Sequence, residues 1–233
     1  MKKLIGLTAI LCLLVLNTIG QRRNEENSFD EAQAKLSQET INDAHRMAKK
    51  KARQNAKAGY YTNLTSTTME CQIEKAILYD AVLNAEGQKR YIVETSNVLS
   101  KSPEAGKQHA IETAKIKIAG YLQSTILGLV ETSLSNNQLS MKEAEQINKM
   151  VSNYENWIAQ NLGSVEPIGA IYKKHHDKIE VEVCIAYNME NAANITRNAV
   201  INKLSEDTKI SKDKLNDVLK RNNFKSFEQE KSN

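Results

Sequence analysis

The side chains best placed to do chemistry sit in one short stretch. His175, His176 and Asp177 are consecutive, and Glu180 and Glu182 follow two residues apart. A metal centre needs three or four converging ligands. Adjacent histidines in a turn point apart, so this trio reads as an exposed turn with at most weak metal affinity. The glutamates share one strand face, with their Cα atoms about 7 Å apart. Paired carboxylates can divide acid and base roles, and a hydrolase built on them needs a cleft over that face; the expected reading is a solvated strand face. His45 and His109 are single residues on helical stretches and are expected to face solvent. There is no Gly-rich phosphate loop, CxxC, HExxH or GxSxG motif. No serine or threonine stands beside a candidate base. No catalytic, cofactor-binding or metal-ligating residue is therefore assigned, and no cofactor is implied.

The elements around these residues are legible from period and punctuation. Residues 178–187 alternate, with Ile179, Val181, Val183, Ile185 and Tyr187 on one face and Glu180, Glu182, Cys184 and Ala186 on the other, which is the pattern of a half-buried strand. Residues 165–174, with Pro167 near the start, form its hairpin partner. Residues 89–99 are rich in β-branched side chains and read as a third strand. Helices are expected at 28–56, capped by Ser28 or Asp30; from Asn63 or Thr65 to about residue 85; at 103–134, with Pro103 in the first helical position; at 141–160, opened by the capping box Ser140…Glu143; at 189–204, capped by Asn188; and at 212–221, capped by Ser211. The expected fold class is α+β: a small antiparallel or mixed three-stranded sheet packed against several α-helices, in the order α-α-β-α-α-β-β-α-α. Helices 103–134 and 189–204 are the natural cover for one sheet face. Residues 118–130 are apolar on most sides, with Gly120, Ser124 and Gly128 every four residues, a spacing that admits a close neighbour.

The N-terminus speaks of destination. Lys2 and Lys3 precede an apolar run from Leu4 to Leu16, and small residues Thr18 and Gly20 stand before Gln21. That is the layout of a secretory signal peptide, and the run is shorter than the ~20 residues a membrane helix needs. Cys12 lacks the small preceding residue of a lipobox, since Leu11 stands there, so it reads as part of the apolar run. The expected organisation is a signal peptide at 1–20, a helical extension at 21–58, an α+β domain at 59–208, and a C-terminal helix and polar tail at 209–233. An exported chain can oxidise Cys71 and Cys184 to a disulfide, or keep them as buried thiols. Net charge is +4 among 32 Lys+Arg and 28 Asp+Glu, too balanced for a nucleic-acid binder.

Two further groups bear on binding. Lys49, Lys50, Lys51 and Arg53 end the first helix, where they can meet phosphates or simply be solvated. Tyr91, Tyr121, Trp157, Tyr172 and Tyr187 can line a ligand pocket between sheet and helices, or fill the core.

Residues 88–208 resemble the LPP-twenty lipoprotein family of bacterial cell envelopes. The pieces that carry the likeness are Gln88-Lys89-Arg90-Tyr91-Ile92-Val93, Ala110-Ile111-Glu112-Thr113-Ala114 leading to Ile118-Ala119-Gly120-Tyr121-Leu122, Gln160-Asn161-Leu162-Gly163-Ser164-Val165-Glu166-Pro167, and Glu180-Val181-Glu182-Val183-Cys184-Ile185-Ala186-Tyr187-Asn188-Met189. The resemblance implies an α+β envelope domain without an established active site. The functional expectation is an exported, periplasmic or outer-membrane-associated protein that is not an enzyme and serves as a structural or interaction domain. Its partner would be a protein or another envelope component, with peripheral envelope association and no nucleic acid, and helix 28–56 would be the partner surface. The alternative is a binding module for a small envelope ligand, and a hydrolase comes third.

Overall fold

A computed structural model describes Phe29, Gln33, Ala34 and residues 36–63, 67–165 and 167–220. The expected signal peptide with Cys12, the expected caps Ser28 and Asp30, Thr65 and the tail 222–233 lie outside the described residues. In chain order the elements are α1 (Gln38–Lys57), β1 (Tyr60–Tyr61), α2 (Met69–Ala81), β2 (Tyr91–Ser100), α3 (Pro103–Ser135), α4 (Met141–Val151), α5 (Glu155–Asn161), β3 (Pro167–His175), β4 (Lys178–Asn188), α6 (Met189–Asp207) and α7 (Lys212–Val218).

Most helix starts follow local capping chemistry. Ser102, Asn188 and Ser211 each accept the N–H three residues on, and Ser140 and Glu143 close a reciprocal capping box. Each such cap is worth about 1 kcal/mol. The strands form one antiparallel sheet in the order β1-β3-β4-β2. Val181, Val183 and Ile185 of central β4 are fully buried, together with Ala110, Ala114 and Ile118 of α3. The approach is close at Gly106, where a Cβ would stand 2.6 Å from Val181 Cγ2. Further along, Ile126, Leu129 and Val130 bury the apolar half of α3 within the same core as Ile147, Ile158, Leu204 and Leu215 of the surrounding helices.

The opposite sheet face is covered as well. The α1–α2 hairpin returns over it, with Ala44, Ala48 and Ala52 buried along one stripe of α1. A smaller core forms there: Phe29 stacks on Tyr79 at 3.7 Å, and Tyr79 meets Tyr91 edge-on at 4.7 Å.

Four features depart from the sequence expectation. The sheet has four strands, not three, because Tyr60 and Tyr61 pair with Lys173 and Tyr172; a two-residue strand has no periodicity to read. The helix expected at 141–160 is two helices. Ser152 and Asn153 turn their side chains back onto the carbonyls of Asn148 and Lys149, a local bonding habit that competes with helix continuation. The helix expected to run on from residue 28 is interrupted at Leu36 and Ser37, and α1 starts at Gln38, with Ser37 accepting the Thr40 N–H. Finally, α2 stops at Ala81. Val82 is extended, and Asn84 Oδ1 accepts the N–H groups of Glu86 and Gln88 in a turn where Gly87 takes φ +80°. The observed order is therefore α-β-α-β-α-α-α-β-β-α-α. No helix among the described residues is long and apolar enough to cross a membrane.

Candidate functional site

The twist and register of α1 place its cations together. From residue 46 to residue 57 it carries six Lys and Arg and no acid. Arg46, Lys49, Lys50, Arg53 and Lys57 recur at three- and four-residue steps and border one shallow groove. The buried Ala44, Ala48 and Ala52 fix the rotation that turns this stripe outward. Favourable helix-dipole interaction reaches only the last turn, which here holds Lys57. Arg46 and Lys49 lie too far back, so the dipole does not account for the stripe. Arg46 is paired with Asp43 at 3.0 Å, an exposed contact on one helix worth only a few tenths of a kcal/mol. His45 is exposed on α1 as expected, but it is not solitary: it reaches across to α2 at 3.1 Å from Glu74 and 3.7 Å from Glu70.

Beside the stripe, a cleft of about 530 Å³ separates the α1–α2 hairpin from the sheet. Thr95, Glu182 and Cys184 form its polar floor, Ile73 and Ile77 of α2 an apolar wall, and Met47, Lys50 and Lys51 of α1 its other side. Met47 is 56% exposed. The hairpin is tied to the sheet by Gln72, which is 3% exposed. Its Oε1 accepts the Ala170 N–H at 2.8 Å, and its Nε2 donates to the Thr67 carbonyl at 3.4 Å. β1 ends opposite Tyr172, so Gln72 supplies the acceptor that no strand among the described residues offers Ala170 on that side.

The two glutamates are divided. Glu182 lines the cleft; burial raises its carboxyl above the usual range, against the nearby Lys51 charge, and the Glu180 charge adds to the rise. Glu180 is not part of the cleft lining. Its Oε1 accepts from Tyr60 Oη at 2.9 Å and Asn97 Nδ2 at 2.8 Å. Burial, together with that bond and charge, pushes the Tyr60 hydroxyl up to about 12. The expected open, solvated strand face is therefore corrected: the face is half-covered, and the cover reaches Glu182 and Cys184. Burial also pushes the Cys184 thiol up, although the hydrogen bond with Thr95 and the charge of Lys51 oppose it. Cys71 and Cys184 are both free, Cys71 being exposed on α2.

Other candidates do not converge. His175 and His176 are exposed at the hairpin end, their rings edge to face at 5.1 Å, and His109 is exposed on α3. Among the described residues no group of three or more His, Cys, Asp or Glu side chains could hold a metal ion. The five aromatics do not share a pocket. Tyr91 and Tyr172 are buried, Trp157 packs on Tyr154 at 5.5 Å, and Tyr187 donates to the Leu162 carbonyl at 2.7 Å. Tyr121 alone lines a separate cavity. Sequence reasoning missed Gln72, whose one signal is an amide beside the apolar positions Met69, Ile73 and Ala76.

Comparison with family models, curated proteins and solved structures returned no match to this chain.

Proposed function

We propose that this is an exported, non-enzymatic interaction domain of a bacterial envelope, of the kind its resemblance to LPP-twenty lipoproteins implies. In this reading the protein rests peripherally on an anionic lipid surface through α1. The observation that carries it is the outward stripe of Arg46, Lys49, Lys50, Arg53 and Lys57, spread over roughly 16 Å of helix with exposed Met47 beside it. A cation near an anionic membrane contributes about 1 kcal/mol. Five of them acting together correspond to sub-millimolar, salt-sensitive attachment. The leader sequence supports export. The non-enzymatic reading is supported by a Cys184 thiol shifted away from the thiolate and by the separation of Glu180, committed to Tyr60 and Asn97, from Glu182.

The test is co-sedimentation of the mature chain with vesicles containing one-third phosphatidylglycerol, set against neutral phosphatidylcholine vesicles. The triple variant Lys49→Glu, Lys50→Glu, Arg53→Glu should lose at least about 100-fold in affinity, given ~1 kcal/mol per cation removed, while keeping the wild-type melting temperature. Equal binding by the variant, or equal binding to neutral vesicles, overturns the assignment of this surface.

A further inference from the structure

The cleft between the α1–α2 hairpin and the sheet has the makings of a small-molecule site. Its volume of about 530 Å³ falls within the range of such sites, about 300–1,000 Å³. Ile73, Ala76 and Ile77 line one wall. At three- and four-residue steps they share one face of α2, and each is only half-buried, so apolar surface stays open to the cleft.

Two opposite charges border the same space. Glu182 stands on the floor, on β4. Its carboxylate has no hydrogen bond and no ion pair among the described residues. Its oxygens are not sealed away as unpartnered atoms of the packed interior would be, so they are open to a ligand in the cleft they line. Lys51 comes in from α1 on the other side, exposed at its tip. Its charge acts on Glu182, yet the two make no ion pair. Burial holds the Glu182 carboxyl above its usual range in spite of Lys51, as happens when the charged form lacks a close counter-ion. A ligand of one sign satisfies one of these groups and is repelled by the other. A zwitterion satisfies both through charge-assisted hydrogen bonds, the stronger kind. A free α-amino acid carries both charges on one carbon, whereas a peptide parts its termini by about 3.3 Å or more per added residue.

We propose that this cleft binds a free α-amino acid with a large apolar side chain, its ammonium on Glu182, its carboxylate on Lys51 and its side chain against Ile73, Ala76 and Ile77. The site uses none of the five cations of the α1 stripe, so the inference stands or falls separately from attachment to lipid.

The test is an amide-resolved NMR titration of the chain from Gln21 onward, without lipid. The probes are L-phenylalanine, phenylalaninamide, which lacks the carboxylate, N-acetylphenylalanine, which lacks the ammonium, and glycine, which lacks the apolar body. Phenylalanine should give saturable shifts centred on residues 47–55, 72–77 and 182–184. The other three should bind at least about tenfold more weakly, as loss of a hydrogen bond between charged groups or of a buried ring implies. Glu182→Gln should weaken phenylalanine at least about tenfold and leave N-acetylphenylalanine unchanged. Ala76→Phe, which keeps every charge and fills the space along the apolar wall, should weaken phenylalanine as much, so loss of folding in one variant does not decide the result. Absence of saturable shifts with phenylalanine overturns the proposal. So does equal affinity for phenylalaninamide or N-acetylphenylalanine, or unchanged phenylalanine affinity in a folded Glu182→Gln or Ala76→Phe protein.

Discussion

Replacing Gln72 by Leu tests how the α1–α2 hairpin is held over the sheet. Leu has nearly the same volume, so the change leaves no large void. It removes the acceptor of the Ala170 N–H, 2.8 Å away, and the weaker donor to the Thr67 carbonyl at 3.4 Å. The Ala170 N–H stays buried and cannot be removed with its partner. Orphaning it costs about 1–3 kcal/mol, and the lost second bond adds about 0.5–1 kcal/mol. Two methyl groups in place of amide atoms return at most about 1.5 kcal/mol. The net expectation is a loss of about 1–2 kcal/mol, or a drop of about 2–8 °C in melting temperature for a chain of this size. Urea unfolding gives the free energy, and native-state hydrogen exchange gives its location. The Ala170 amide should exchange at least tenfold faster relative to the amides of Val181 and Val183 on β4. A melting temperature within 1 °C of wild type together with an equally protected Ala170 amide would refute the argument that this side chain completes the sheet edge.

Glu182→Gln removes a carboxyl whose folded pKa is raised. A raised acid binds its proton more tightly in the folded state, so wild-type stability falls as pH climbs from the ordinary carboxylate range through the raised value. The variant should melt higher than wild type at pH 8 and equally at pH 4; thermal melts at the two pH values decide, and a lower melting point at pH 8 contradicts the burial argument. Glu143 shows the opposite case: the hydrogen bond from Lys214, joined by those of Ser140, lowers it from 4.5 to about 2. Its contribution, about 0.5–1 kcal/mol for a partly exposed pair, is present above pH 4.5 and lost as pH falls towards 2. Melting curves of wild type and Glu143→Gln should therefore differ at pH 7 and converge near pH 2. Gly106→Ala gains at most about 1 kcal/mol of helix propensity but puts a methyl 2.6 Å from Val181 Cγ2 and 3.0 Å from Ser100 Cβ. Overpacking costs about 1–3 kcal/mol, and because Val181 is immobilised in the central strand the clash should win; a raised melting temperature would show that α3 can shift.

The parts of the fold that were legible in the sequence are those set by local chemistry. Ser102-Pro103, Ser140 with Glu143, Asn188 and Ser211 mark helix starts through the backbone donors they satisfy. The alternation along β4 reports its inner face directly, and Val181, Val183 and Ile185 are buried as that alternation requires. What was illegible is tertiary. Glu180, Glu182, Cys184 and Ala186 carry the polarity of a wet surface, and only the return of the α1–α2 hairpin makes that face a cleft. Gln72 reads as an interruption of an apolar stripe until Ala170 supplies its partner from 98 residues away. The break at Ser152 is local, yet it stayed hidden because the apolar periodicity of the two flanking helices runs on across it.

The most direct measurement is the salt dependence of vesicle binding by the chain from Gln21 onward. Screening between exposed charges grows steeply as the Debye length shrinks from about 30 Å at 0.01 M to about 8 Å at 0.15 M. If α1 is held to lipid by its cation stripe, binding to phosphatidylglycerol vesicles should be strong at low salt, fall steadily with added salt, and flatten in the charge-reversed variant. Binding that ignores salt, or that the variant retains in full, would contradict the account.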